Sequence, residues 1–475
     1  MFVDGHWADA ASGETFEATS PATGERIGAV PQGDRADAQR AIDAANRAFD
    51  GWSRLTAFDR AAKMHAVGDA IERRRDELAR TLTLDQGKPL RAEAYDEVDE
   101  LVEYWRMAAE DAKRLGGELP NSFSPGKRVM LVRRARGAVG IITPWNWPYT
   151  MPAELLAPAL AAGNTVVWTP APTTAVSAIA LAECMAEADL PPGVVNLVTG
   201  PGPVVGDEIA RNPGTAGVAF IGSTRTGRSV ASAAAGKALV LEMGGNGPVV
   251  VMDDGDVDAA VEATITACFL CAGQSCTAGE RLLVHEAVRD EFVDRLARRV
   301  TEQVLLGDPF DDATTMGPLN NPGVAQKMDE HVADAVDRGA DVVAGGARAD
   351  GFPTDLYWPA TILSDVPPES RASTEETFGP IAPVLAIRSL EEAIALTNAS
   401  PYGLLSAIFT RDLARGLRFA DSVHTGWVNV NESSNYWESH LPFGGRAGSD
   451  SGIGRVGGTH VMESFTELQT VVLTA

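Results

Sequence analysis

Apolar positions between Asp34 and Trp52 recur at Ala38, Ile42, Ala45 and Phe49, the period of an amphipathic helix. Asp59 to Leu84 and Pro89 to Leu115 carry the same period, broken by Gln86-Gly87-Lys88-Pro89 and closed by Gly116-Gly117. Ahead of these helices, residues 1–35 read as short strands and turns, an N-terminal hairpin bending near Ser20-Pro21-Ala22-Thr23-Gly24. From Ala138 the pattern changes to short apolar runs alternating with helical segments. Strands fit Ala138–Ile142, Thr165–Trp168, Val194–Val198, Gly217–Ile221 and Ala238–Leu241, with helices such as Thr174–Ala188 and Arg225–Ala235 between them. Successive strand starts lie 21 to 29 residues apart, the spacing of βαβ units in a parallel sheet. A doubly wound layout follows, with ligands expected at the carboxyl ends of the strands.

A second α/β unit begins after Gly244. Strands fit Pro248–Met252, Arg281–His285, Val342–Ala344, Leu405–Phe409 and Gly426–Val430; helices fit Val257–Leu270, Val288–Val304 and Val324–Arg338. Arg128 to Arg134 reads as a strand outside either core, with charged flanks. The expected division is a dinucleotide-binding domain (residues 1–116 and 136–244), a catalytic domain (245–445), and a small β arm with the C-terminal strand (117–135 and 446–475).

The chain has 475 residues, too many for one hydrophobic core. Its formal net charge of −25 disfavours nucleic acid and anionic membrane surfaces, which call for basic patches. No run of about twenty apolar residues is present to span a bilayer. Met1 to Trp7 has no basic region followed by an apolar core, so no signal peptide is expected and a cytoplasmic location is. Four cysteines (184, 268, 271 and 276) make no disulfide framework in a chain of this length. Cys268-Phe-Leu-Cys271 has CxxC spacing without a second pair or a histidine cluster, so packing is expected there and no metal.

The candidate chemistry lies between Leu241 and Thr277. Glu242 ends an apolar run, where desolvation raises a carboxylate's pKa and suits it to act as a base near neutral pH. Cys276 follows Ala272-Gly-Gln-Ser, and a thiol becomes a strong nucleophile as its thiolate. Taken alone, such a cysteine is more often a small buried hydrophobe. Asn146, in a proline-bracketed turn after a strand, is suited to donate to a developing oxyanion, or else to hold its own turn. Ser223, at a helix start, could hold a pyrophosphate or serve as an N-cap. Gly200-Pro-Gly-Pro-Val-Val-Gly206 departs from the GxGxxG fingerprint by one residue.

Six segments resemble the aldehyde dehydrogenase superfamily in order and separation: Leu241-Glu-Met-Gly-Gly-Asn246, Gly273-Gln-Ser-Cys276, Pro144-Trp-Asn-Trp-Pro148, Phe220-Ile-Gly-Ser-Thr224, Glu376-Thr-Phe-Gly-Pro380 and Pro442-Phe-Gly-Gly445. The resemblance runs along the whole chain. It implies oxidation of an aldehyde to the free acid with NAD, or alternatively NADP, by the hydrolytic branch of the superfamily. Cys276 would be the nucleophile, Glu242 the base for water, and Asn146 with the Cys276 backbone N–H the oxyanion site. It further implies cofactor contacts from Trp145, Thr169, Gly202, Gly206, Phe220, Ser223, Gly244, Glu376 and Phe378, with Glu376 accepting from ribose hydroxyls. Substrate contacts would come from Trp147, Glu154, Trp437 and Phe443, and from Tyr436 unless that aromatic loop meets another subunit. The arm implies a homodimer or homotetramer. The other readings are a cysteine-dependent esterase and a non-catalytic binding protein on the same fold.

Two departures matter. The usual Lys-Pro-Ser/Ala-Glu of the superfamily reads Thr169-Pro170-Ala171-Pro172 here, which removes a ribose contact and a repulsion towards NADP. Glu154 and Leu155 stand where many relatives place a large apolar, basic or aromatic residue and then a lysine. If Glu154 faces the tunnel as a carboxylate, it should repel aldehydes with a distal carboxylate by several kcal/mol before screening; the other reading pairs it elsewhere.

Overall fold

The computed structural model describes residues 1–474, which contain two large sheets and two two-stranded ones. The first has eight strands in the spatial order Gly452–Ile453, Ala238–Glu242, Gly217–Ile221, Ala138–Ile142, Thr165–Thr169, Val195–Leu197, Phe2–Val3 and His6–Trp7. Its five central strands are parallel and mostly apolar, as expected of strands covered on both faces. The chain runs outward from Ala138–Ile142 through two strands, then returns to place Gly217–Ile221 on the other side. That reversal opens a crevice at the carboxyl ends of these two strands, where doubly wound folds bind ligands. Asn146 follows one of them and Ser223 the other.

Helices cover this sheet for reasons visible in the sequence. Arg35–Ser53 begins with a capping box between Asp34 and Asp37, and buries Ala38, Ala41, Ile42 and Ala45. The long helical stretch expected from Asp59 breaks at Arg74 into Ala57–Arg73 and Arg75–Gln86, with Gly87 in the left-handed conformation ending the second. Beyond Gly87, Lys88 and Glu97 form an ion pair of 2.5 Å with neither side chain exposed. Glu97 also accepts from the backbone N–H groups of Tyr149 (3.0 Å) and Thr150 (3.4 Å), and so anchors the start of helix Thr150–Ala161.

The second sheet has seven strands in the order Asp341–Ala344, Thr361–Ser364, Ile381–Ile387, Gly279–His285, Gly247–Val251, Leu405–Phe409 and Trp427–Val430. All but the Asp341–Ala344 pairing are parallel. Strands Thr361–Ser364 and Ile381–Ile387 and helices Leu390–Asn398 and Leu413–Ser422 extend what the apolar pattern suggested. The chain crosses from one sheet to the other at Met243–Gly244–Gly245–Asn246.

Lys127–Ala135 pairs antiparallel with Thr466–Thr474 along its whole length. Part of the C-terminal segment departs from the expected arm. Gly452–Ile453 pairs with Leu241 and Glu242, an approach that leaves no room for a side chain at Gly452 beside the Leu241 carbonyl, and helix Gly458–Ser464 packs on Thr150–Ala161. Gly452–Ile453 is thus the edge strand of the first sheet, whereas Arg446 and Asp450 donate backbone bonds to Gly403 and Pro401.

Candidate active site

Three left-handed residues, Cys271, Ala272 and Gly273, turn the chain sharply after helix Val257–Phe269 and deliver Cys276 into the crevice. Glu242 arrives from the opposite lobe at the end of its strand. Gly245 permits this approach, since any side chain there would collide with the Cys276 carbonyl oxygen. Cys276 and Glu242 both border two adjoining cavities, and the Glu242 Oε1 has no hydrogen-bond partner. Burial raises Glu242 to about 8, with Glu376 adding to the rise and the thiol opposing it. Burial and then the Glu242 charge push the Cys276 thiol well above its ordinary value. Both groups therefore hold their protons at neutral pH in this state.

Two cavities meet at this pair. The larger, of about 400 Å³, runs from Cys276, Glu242 and Asn146 past Phe378, Trp145, Gly244 and Glu376 to Ser223 and Arg225. The smaller, of about 40 Å³, lies on the other side and is walled by Trp147, Glu154, Trp437 and Phe443. Asn146 spends one amide hydrogen on the Gln274 carbonyl at 3.0 Å, which fixes its side chain and leaves the other hydrogen for a ligand. Glu376 accepts the Gly245 N–H at 2.9 Å and occupies space that a Gly244 side chain would fill. Phe378 stands edge-on to Trp145 with centroids 5.6 Å apart. Helix Thr224–Ala233 opens beside Ser223 without a side-chain cap, leaving its first N–H groups to whatever lies in the cavity.

Other expected residues stand apart from these cavities. Thr169 is buried with an unpartnered hydroxyl, and Gly206 packs near it; Gly202 faces open space. None of the three lines the larger cavity. Phe220 lies under Gly222, filling the space below the turn, so it supports the turn and is not itself a lining residue. Tyr436 is a correction: it is 47% exposed, donates to Glu438 at 2.5 Å and turns away from the substrate cavity. Its neighbour Trp437 takes the inward position because Asn429 binds the Ser433 and Tyr436 carbonyls and sets the loop.

Glu154 does face the small cavity, but repulsion of a distal carboxylate needs a charge that it does not carry. It is 2% exposed, its Oε1 lacks a partner, and burial, followed by Glu242 and Glu100, pushes its carboxyl far above the usual range. Several contributors were absent from the motif reading. Arg225 and Lys327 line the larger cavity. Lys88 stands 3.1 Å from the centroid of the Trp147 ring. Glu280 accepts the backbone N–H groups of Thr377 and Phe378, holding the turn that carries Glu376. Only the Gln-Gly-Lys-Pro punctuation pointed to any of these. Cys268 and Cys271 are buried free thiols, directed to the Gly279 carbonyl (3.2 Å) and the Asn146 carbonyl (3.5 Å).

A thiol and a carboxyl from two α/β lobes, meeting where a nucleotide-sized crevice joins a small aromatic pocket, define a two-lobed oxidoreductase-type fold with a covalent site. The chain belongs to the aldehyde dehydrogenase family, whose family model matches residues 7–471. It is 40% identical over 475 residues to a glutarate-semialdehyde dehydrogenase of Pseudomonas aeruginosa, covering 99% of this chain and 97% of that one. It is 39% identical over 469 residues to the NADP(+) succinate-semialdehyde dehydrogenase of Escherichia coli, covering 98% and 96%. Among solved structures, a betaine aldehyde dehydrogenase from Staphylococcus aureus in complex with NAD+ superposes with a TM-score of 0.96 at 34% identity, covering 100% of this chain and 96% of that one.

Proposed function

We propose that this chain oxidises an aldehyde to the free carboxylic acid through a thioester on Cys276. The observation that carries the reading is the meeting of Cys276 and Glu242 at the junction of the two cavities. A carbonyl carbon at that junction is reachable by the thiol from one side and by water beside Glu242 from the other.

The residues of the larger cavity suit a nicotinamide dinucleotide. Glu376 offers a buried carboxylate for ribose hydroxyls, and Ser223 with its helix start and Arg225 suit a pyrophosphate. When bound, the cofactor, NAD or NADP, supplies the acceptor for the hydride leaving the thiohemiacetal. With Glu242 as the carboxylate, Cys276 passes its proton to it and on to solvent and attacks the aldehyde carbon, and the Asn146 amide with the Cys276 backbone N–H steadies the oxyanion. Glu242 then removes a proton from water, which attacks the thioester and releases the acid and the thiol. With Thr169 in place of lysine and Pro172 in place of glutamate, neither attraction nor repulsion there selects between the two cofactors.

The edge strand Lys127–Ala135, paired on one side by Thr466–Thr474, leaves Leu468, Val472 and Leu473 about half exposed. Such a surface suits a second copy of the chain, so a homodimer or homotetramer is the assembly proposed.

The test is formation of reduced nicotinamide with a panel of aldehydes and either cofactor. Cys276→Ala should abolish it while the far-UV spectrum and melting curve stay those of the wild type. Oxidation persisting in that variant would rule the reading out.

A further inference from the structure

The polar groups around the small cavity are almost all accounted for. Ser275 and Thr277 bond to each other at 2.7 Å, Thr277 bonds to Asn435, and Asn435 donates to the Thr266 carbonyl at 2.7 Å. Glu242 Oε1 is also without a partner, but Glu242 and Cys276 belong to the chemistry. Glu154 remains. It sits on helix Thr150–Ala161, is 2% exposed, and lines the cavity with a buried oxygen that meets no donor.

The groups that face it are acids or neutral. Glu242 approaches from its strand end, Glu100 and the unpartnered Tyr104 hydroxyl from helix Tyr95–Ala112, and the Cys276 thiol from the turn. Lys88, a buried cation against Trp147 of the same wall, is committed to Glu97 and to the Trp147 ring. A carboxyl buried without a cation stays neutral, because desolvating its charge costs far more than keeping its proton. A neutral carboxyl carries an O–H, and a donor in an aromatic-walled cavity wants an acceptor.

We propose that Glu154 is a specificity-determining residue whose carboxyl O–H donates to an oxygen on the far part of the aldehyde. The pocket then selects compact, uncharged aldehydes bearing an ether, hydroxyl or carbonyl oxygen. This rests on the aldehyde-oxidising reading of Cys276 and names the substrate class for that site. An anionic tail would find no cation among the residues lining the small cavity to offset its charge. A cationic tail would meet a Trp147 ring already engaged by Lys88.

The experiment compares kcat/KM for 3-methoxypropanal and pentanal, which differ by one ether oxygen for one methylene. A pocket without a donor favours pentanal, the more apolar of the two. The wild type should favour 3-methoxypropanal by about tenfold, the worth of one hydrogen bond to a buried donor. Glu154→Gln, whose amide still donates, should keep part of that preference. Glu154→Leu should lose it, read as the ratio of the two kcat/KM values. Equal kcat/KM in the wild type, a preference unchanged in Glu154→Leu, or faster oxidation of succinate semialdehyde or a trimethylammonium aldehyde would overturn the proposal. Pentanal oxidation by the wild type separates the two levels: its presence without the ether preference removes only the role of Glu154, whereas no oxidation of any aldehyde removes the site reading as well.

Discussion

Gly244 and Glu376 come from different lobes, and a methyl group on Gly244 would stand 2.7 Å and 2.9 Å from the two carboxylate oxygens of Glu376. The absence of a side chain at Gly244 is what lets Glu376 reach the Gly245 N–H and project into the larger cavity. Gly244→Ala should therefore push Glu376 out of place. The expected result is a rise of about tenfold or more in cofactor KM, the worth of a buried charge-assisted hydrogen bond. Hydrolysis of an activated ester by Cys276, which needs no cofactor, should stay within about twofold of the wild type. Steady-state kinetics with both substrates check this.

Lys88 joins the first helices to the substrate wall, holding Glu97 on one side and the Trp147 ring on the other. Breaking a buried pair leaves an uncompensated charge, so Lys88→Met should cost about 3–5 kcal/mol of stability by chemical denaturation. Replacing both partners, Lys88→Met with Glu97→Gln, should recover part of that loss. A single variant as stable as the wild type would contradict the role given to this pair.

Several buried carboxyls hold their protons in the folded chain. Burial raises Asp85 and Glu93 to about 7 and Glu242 to about 8. Each binds its proton more tightly folded than unfolded, so each favours the fold fully below its unfolded value near 4 and loses that contribution as pH rises through the folded one. His331 works the other way: burial lowers it to about 4, and its contribution is lost as pH falls below its ordinary value of 6.5. The carboxyls outnumber it, so the melting temperature should fall between pH 6 and pH 8.5. Glu242→Gln should flatten the upper part of that slope.

Much of this was legible in the chain, and the misses have physical causes. The central strands of the first sheet are continuous apolar runs flanked by glycine and threonine, and Ala138–Ile142 and Gly217–Ile221 fall on the expected residues. Glu242 and Cys276 sit in backbone contexts, a Gly-Gly turn and a left-handed turn, that leave a local mark in the sequence. Strands Thr361–Ser364 and Ile381–Ile387 were not, because short runs between loops lack a distinguishing period. The break at Arg74 was also hidden, since the helical period continues on both sides of it. Tyr436 and Trp437 are adjacent aromatics in one loop, and only the bonds from Asn429 decide which turns inward. The protonation of Glu154 depends on Glu100 and Glu242, which come from other elements and share no motif with it.

The division of labour between Cys276 and Glu242 is tested most directly by rapid mixing of Glu242→Gln with saturating aldehyde and cofactor, following reduced nicotinamide. The carboxyl is required for water to attack the thioester and not for hydride to leave. The expected trace is a burst of about one equivalent per active site, then turnover slowed by about 100-fold or more, in the range attributed to a general base. In the wild type the steady rate should climb with pH towards about 8, where Glu242 loses its proton, and in the variant it should not. Wild-type steady turnover in Glu242→Gln, with the same pH profile, would contradict the assignment.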